Sequence, residues 1–153
     1  MIKNELEKYI KRFPESTQQA LSHERLLQEF LCAVEIEYKP IKVYRAVLNS
    51  DSITAWDFVS TVDEHKMTLE KIEKRIKKDK NFKICQFGTS VNEDLANMLA
   101  SLKYPSEKHK GIAIGLMKQE FGMADFEEGK THHNLYIFQD KMDELIQSFK
   151  KYE

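Results

Sequence analysis

One arginine stands where the chain's pattern calls for an apolar side chain. In Ile41–Val47, β-branched and aromatic residues alternate with period two, which predicts a β-strand. Arg45 lies on the same predicted face as Val43 and Val47. A guanidinium is permanently charged, so on an apolar face it needs an anion. Arg45 is therefore a candidate ligand-binding residue for a phosphate or carboxylate. The alternatives are a pairing with a core carboxylate, or burial of the other face.

A second candidate anion site lies between a predicted strand and a predicted helix. Residues 82–87 read as a short strand, and the Ser-Val-Asn-Glu run at 90–93 fits a capping box that opens a helix. The hydroxyls of Thr89 and Ser90 would then lie at a helix N-terminus, where free amides and the helix dipole favour an anion. A well-capped helix without a ligand gives the same pattern.

Acidic residues cluster in a third region, a polar connection predicted over residues 119–131. Its carboxylates could supply a general base or hard metal ligands, and Glu120 is the weak catalytic candidate. The acidic residues are Glu120, Asp125, Glu127 and Glu128. His132 and His133 follow, but adjacent side chains on a strand point to opposite faces, so they do not readily grip one metal ion. We predict no metal site, and a solvated loop is the alternative interpretation.

Taken in chain order, Arg45, Thr89/Ser90 and Glu120 faintly resemble the ADP-ribosyltransferases. That family has an arginine on an early strand, a serine/threonine motif on a later strand and a glutamate further on. The resemblance implies an enzyme or binder of a nucleotide-like anion, and it covers three short spots of the chain. It departs from the family at the Ser-Thr-Ser motif, which is reduced here to Thr89-Ser90, and no Glu-x-Glu motif surrounds Glu120.

The elements that must position these residues indicate an α+β fold. Helical spacing predicts helices over residues 2–13, 16–21, 22–38, 68–80, 90–102 and 140–149, the last capped by Asp140. Period-two runs predict strands over residues 41–47, 82–87, 111–118 and 134–138. The last two have no helix between them, so we expect them to pair antiparallel. The prediction is a mostly antiparallel sheet of about four strands with amphipathic helices packed on it.

Length and composition fit one domain. The chain has 153 residues, 41% of them hydrophobic and 32% charged, with five glycines and three prolines. We expect a helical part over residues 1–39 and a mixed part over residues 40–153. The formal net charge of -1 gives no bulk attraction to nucleic acid or to an anionic membrane, so neither is an expected partner. No apolar run reaches the length of a membrane span.

The cysteines and the N-terminus predict a cytoplasmic protein. Cys32 and Cys85 are far apart and lack metal-ligand spacing, so we expect two reduced, packed thiols. The first residues carry charges where a signal peptide needs an apolar stretch. No cofactor is evident from the sequence.

Two functions fit these observations. Because familiar phosphate-loop, dinucleotide and hydrolase motifs are absent, the leading hypothesis is a non-catalytic interaction or regulatory module. It would act through a protein partner or self-association, with Trp56, Phe58 and Val59 as a contact patch. The alternative is an enzyme or binder of an anionic small molecule or nucleotide. In that case Arg45 and Thr89/Ser90 would meet at one cleft, with residues 119–131 as a lid.

Overall fold

The structure, a computed structural model, describes residues 1–102, 108–127 and 129–152. Within these ranges the chain forms seven α-helices, four 3₁₀ helices and one seven-stranded sheet. The helices are α1 (Lys3–Leu6), α2 (Glu15–Leu21), α3 (Glu24–Ala33), α4 (Thr61–Glu64), α5 (Leu69–Lys78), α6 (Leu95–Leu102) and α7 (Met142–Ser148). The strands are β1 (Val34–Glu35), β2 (Ile41–Val47), β3 (Thr89–Asn92), β4 (Gly111–Met117), β5 (Gly122–Phe126), β6 (His132–Ile137) and β7 (Lys150–Lys151). The 3₁₀ helices are Ile10–Arg12, Ala55–Phe58, Ile84–Phe87 and Gln139–Lys141.

The sheet is antiparallel throughout, with the strand order β1-β5-β6-β3-β2-β4-β7. The predicted α+β class and antiparallel sheet are confirmed, but the expected number of about four strands is wrong. Two of the extra strands, β1 and β7, have two residues each, which is too short to leave a periodic pattern. The predicted pairing of the last two long strands is also wrong, because β4 pairs with β2 and β7 while β6 pairs with β3 and β5.

The region read as a polar connection holds β5. A turn closed by the bond from Phe121 N to Lys118 O, 3.0 Å long, joins β4 directly to β5. Since β2, β3 and β6 lie between these two strands in the sheet, so short a link requires the sheet to curl strongly. Strand β5 begins at Gly122, where an added Cβ would lie 2.1 Å from Tyr136 O. Only glycine allows the backbones of β5 and β6 to come this close. The predicted lid over residues 119–131 is therefore wrong.

The capping-box prediction at residues 90–93 is wrong as well. Thr89–Asn92 is β3, which is paired with β6 along its full length and with β2 at one position. Helix α6 begins later, where Asp94 Oδ1 accepts from Asn97 N at 3.0 Å. The Ser-x-x-Glu pattern is misleading for two reasons. The residue that caps α6 is Asp94, four residues after Ser90, and the backbone groups of residues 89–92 are hydrogen-bonded to neighbouring strands instead. Residues 84–87, predicted as strand, form a 3₁₀ helix.

One helical layer covers the sheet face that carries Met123 and Tyr136. Helices α2, α3 and α5 pack there around Leu26, Phe30 and Ile72, which are buried. Thr68 begins α5 as predicted, since its Oγ1 accepts from Lys71 N at 3.2 Å. No helix within the described ranges is long and apolar enough to cross a membrane.

The opposite face carries a second core. Val43, Val47 and Leu135 lie there beneath α7 and the 3₁₀ helix Ala55–Phe58, with Phe58 and Phe149 in ring contact. This confirms which face of β2 is apolar. Asp140 does not cap α7; it instead binds Arg12 through two hydrogen bonds of 2.9 and 2.8 Å.

The two cysteines are free, as predicted, but they are not packed. Cys32 and Cys85 are both exposed. Cys85 lies in the 3₁₀ helix Ile84–Phe87 rather than in a strand, which explains why its neighbours do not bury it.

Candidate functional site

A split in the sheet creates the cleft in which the candidate residues meet. Strand β2 pairs with β4 over seven residues, but with β3 only through Tyr44 and Asn92. Beyond that pair β2 and β3 separate, so their facing backbone groups need other partners. A cleft of about 200 Å³ lies against this split. Its walls include residues of β2, β3, α4 and α6.

The side chain of Arg45 occupies the split. Its Nε donates to Asp57 O at 2.9 Å, and its Nη1 donates to Ser90 O at 2.7 Å. Both acceptors are neutral carbonyls. The Asp57 carboxylate is engaged elsewhere, accepting from the backbone N–H groups of Leu48 at 3.0 Å and Thr54 at 2.8 Å. The ion pairs among the described residues do not include Arg45.

The charge of Arg45 is therefore only partly compensated. Burial lowers the pKa of Arg45 to about 10, and the charge of nearby Asp57 opposes this shift. The guanidinium is still protonated at neutral pH, because the pH lies well below that value. A partly buried cation that is held by neutral carbonyls and lines a cleft favours an anion beside it.

Ser90 and His132 form the next wall of the cleft. They lie on neighbouring strands, where Ser90 is opposite Asn134 and His132 is opposite Asn92. As diagonal neighbours on one face, they bring Ser90 Oγ within 2.6 Å of His132 Nε2. Burial lowers the pKa of His132, partly opposed by the charge of Glu127, so the imidazole is neutral at neutral pH.

Glu64 and His109 are two further ionisable residues that line the cleft. Glu64, on α4, pairs with Lys108. Burial lowers the pKa of His109, and the positive charges of Arg45 and Lys108 lower it further. The described part of the lining thus presents, at neutral pH, one cation, two neutral imidazoles and one carboxylate that already has a cationic partner.

A smaller recess of about 20 Å³ continues the cleft beyond Arg45 and reaches Leu48 and Trp56. Trp56 is 42% exposed, whereas Phe58 is 1% exposed and belongs to the core. The contiguous patch expected from Trp56, Phe58 and Val59 therefore does not form. The reason is that the 3₁₀ helix Ala55–Phe58 turns successive side chains in different directions.

The other predicted site residues lie away from this cleft. Thr89 is buried on the opposite face of β3, where its Oγ1 donates to Phe58 O at 2.5 Å. Glu120 is exposed on the turn between β4 and β5 and does not line the cleft. The structure thus brings Arg45 and Ser90 together and leaves Thr89 and Glu120 outside.

The remaining acids and His133 serve other contacts. Asp125 lies on β5, and burial raises its pKa. Glu127 pairs with Lys130 at 2.7 Å, and Glu128 lies outside the described residues. His133 points away from His132, as strand alternation predicts, and its Nε2 lies 2.5 Å from Glu93 Oε2. No group of three or more metal-ligating side chains within the described ranges is arranged to hold a metal ion.

Sequence reasoning missed His132, His109 and Glu64 as lining residues. His132 was named only as following the acidic region, two residues before the strand predicted over residues 134–138, and its partner Ser90 could not be identified without the β3–β6 register. His109 and Glu64 have no spacing that links them to Arg45.

Comparison with known proteins gives no family for this chain. No protein-family model matches it, and neither does a curated protein or a solved structure.

Proposed function

We propose that this protein binds an anionic small molecule, carrying a phosphate or carboxylate group, in the cleft at Arg45. One observation carries the proposal. The guanidinium lines the cleft and is held by two neutral carbonyls, at 2.9 and 2.7 Å, and no carboxylate among the described residues forms an ion pair with it. A bound anion would supply the missing charge and accept from the guanidinium in the bidentate way that arginine favours.

The rest of the lining limits the ligand. The cleft volume of about 200 Å³ suits a small molecule or the anionic end of a larger one, since pockets for drug-sized ligands span about 300–1,000 Å³. Ser90 and His132 add hydrogen-bonding groups beside the anion position. Glu64, already paired with Lys108, disfavours a second anionic group on its side of the cleft.

Titration of the intrinsic fluorescence tests the proposal, because Trp56 is the single tryptophan and lies on the recess next to Arg45. Inorganic phosphate, pyrophosphate, simple dicarboxylates, sugar phosphates and nucleotides would each be titrated, with a thermal shift recorded in parallel. A ligand at about a hundred times its Kd adds about 2.7 kcal/mol of stability, a rise of several degrees in Tm.

Variants separate the cleft from the rest of the surface. Arg45→Ala should abolish the fluorescence change, whereas Arg12→Ala, which removes an exposed arginine paired with Asp140, should leave it intact. No response to any anion, or an equal response in folded Arg45→Ala, would exclude the proposal.

An interaction module is the second candidate. Its support is the exposure of Leu48 and Trp56, at 42% each, on the same recess. If it holds, the mass measured by light scattering should rise with protein concentration, and Trp56→Ala should suppress that rise. A constant monomer mass would remove self-association and leave only a different protein as partner.

A further inference from the structure

The bond between Ser90 and His132 has the geometry of an activated serine. A serine hydroxyl is a weak nucleophile until a neighbouring base accepts its proton. Ser90 Oγ lies 2.6 Å from His132 Nε2, within the range over which a general base acts. Both side chains line the cleft that holds Arg45.

The protonation state of His132 suits the role of a base. Burial keeps its imidazole neutral at neutral pH, so Nε2 can accept the Ser90 proton. The nearby carboxylate of Glu127 acts in the opposite direction and favours the imidazolium once it forms.

The hydroxyl of Ser90 differs from that of the preceding residue, Thr89, which has a structural role. Thr89 is buried, and its hydroxyl donates to a backbone carbonyl, Phe58 O. Ser90 is exposed in the cleft, and its hydroxyl meets an imidazole nitrogen instead. The backbone of β3 is paired with β6 at all four positions, so the Ser90–His132 bond is not needed to hold these strands together.

We propose that Ser90 and His132 are the nucleophile and general base of an esterase site, acting on a carboxylic ester whose own carboxylate or phosphate group is held by Arg45. The proposal rests on the function proposed above, because it uses the same anion position. It adds a reaction to that binding site and assigns a substrate class, an ester with an anionic group.

The reaction consumes water and needs no other reactant. Ser90 Oγ attacks the carbonyl carbon while its proton passes to His132 Nε2, and a tetrahedral oxyanion forms. Collapse breaks the bond between that carbon and the alcohol oxygen, and the leaving alcohol takes the proton from His132. Water then attacks the acyl-serine with His132 again as base, which releases the carboxylic acid and restores Ser90.

Active-site labelling provides the first test. A fluorophosphonate forms a bond from phosphorus to an activated serine and releases fluoride, and intact-mass and peptide analysis locate the adduct. Labelling is expected on Ser90 and should be lost in Ser90→Ala and reduced at least about 100-fold in His132→Gln. Ser22→Ala is the matched control and should be labelled like the wild type, since Ser22 is exposed away from the cleft and its Oγ donates to Gln19 O.

Turnover of two model esters supplies the second test. The 4-nitrophenyl ester of succinic acid carries a free carboxylate, whereas 4-nitrophenyl butyrate is neutral. The anionic ester should have the higher kcat/KM, and Arg45→Ala should remove this preference without removing labelling of Ser90. Ser90→Ala should abolish turnover of both esters while retaining the anion-induced change in Trp56 fluorescence.

The outcomes separate the two proposals. Anion binding without labelling or turnover overturns the esterase site and leaves the binding function standing, and so does labelling at a serine other than Ser90. Labelling of Ser90 without any anion response or preference for the anionic ester overturns the Arg45 function and the assigned substrate class. Circular dichroism confirms that each variant is folded before the result is used.

Discussion

Two arginines of this protein donate to backbone carbonyls in very different surroundings. Arg25, on α3, donates through Nη1 to Phe82 O at 2.9 Å and through Nη2 to Ile76 O at 2.9 Å and Asp79 O at 3.3 Å. Its Nη1 also lies 3.5 Å from a carboxylate oxygen of Glu29. Arg45 has two carbonyl acceptors and a cleft beside it, and it has no carboxylate partner in the part of the chain that the structure describes.

The difference shows what each arginine does. Ile76 and Asp79 lie at the C-terminal end of α5, where carbonyls lack helical partners and a cation is favourable. Arg25 therefore joins α3 to the end of α5, and its hydrogen-bonding capacity is largely used within the protein. Arg45 keeps capacity for a ligand. A structural arginine is therefore distinguished from a ligand-binding one by the number and the charge of its hydrogen-bond acceptors within the protein, and not by burial alone.

The largest expected effect belongs to Arg25. Arg25→Ala leaves the carbonyls at the end of α5 without their donor and should lower the free energy of unfolding by about 3 kcal/mol. The affinity for an anion at Arg45 should be unchanged. Urea denaturation and fluorescence titration measure the two quantities. Gln28→Ala, an exposed change on the same helix, is the control and should have little effect on either.

Arg45→Met sharpens the comparison. Methionine leaves two carbonyls rather than three without a donor and also removes the desolvation cost of the charge, so the free energy of unfolding should fall by less than in Arg25→Ala. Anion affinity should nevertheless fall at least about 100-fold, because the charge-assisted bonds are lost. If the stability loss equals that of Arg25→Ala, then Arg45 is a structural arginine too and the contrast between them disappears.

Acidification should act on the two histidines that line the cleft beside Arg45. The folded protein holds the pKa values of His109 and His132 below their usual value, mainly by burial. Their neutral forms therefore contribute stability that is fully present above the unfolded value of about 6.5 and is lost as the pH falls through the folded values. Tm should decline between pH 7.5 and 5.5 by more than in the double variant His109→Gln, His132→Gln.

Adding sulfate tests whether the decline in Tm comes from His109 and His132, because the charge of sulfate does not change over this pH range. Bound beside Arg45, sulfate should favour the imidazolium forms and reduce the decline in Tm. Chloride at equal ionic strength is the control, and Arg45→Met should remove the benefit. An equal benefit in that variant would show a general salt effect.

The smallest effect is expected at Arg12, which is held on the surface. Arg12 binds Asp140 in a bidentate pair and lies 3.9 Å from the centre of the Phe138 ring. Arg12→Ala should cost about 0.5–1 kcal/mol, since exposed ion pairs contribute little. The loss should shrink in high salt and leave anion binding unchanged, as urea denaturation at two ionic strengths would show.

Local patterns were sufficient for several elements. The bounds of β2 and the face that carries Arg45 followed from period-two alternation, and α5 followed from helical spacing over residues 68–80, where Ile72 and Ile76 are buried. These features depend on residues within one or two turns or on one strand. The α+β class was predictable for the same reason, whereas the antiparallel sheet was predicted from a pair of strands that do not pair in the structure.

Only the tertiary structure decided the remainder of the fold and the site. Residues 89–92 carry a helix-capping pattern, yet pairing with β6 and β2 makes them a strand. Arg45 meets Ser90 across 45 positions of the chain, and Ser90 meets His132 across 42. Strand register sets these contacts, and a shift by one residue would turn Ser90 to the other face. The sequence by itself therefore determined that Arg45 needs an acceptor, whereas long-range pairing decided which groups surround it.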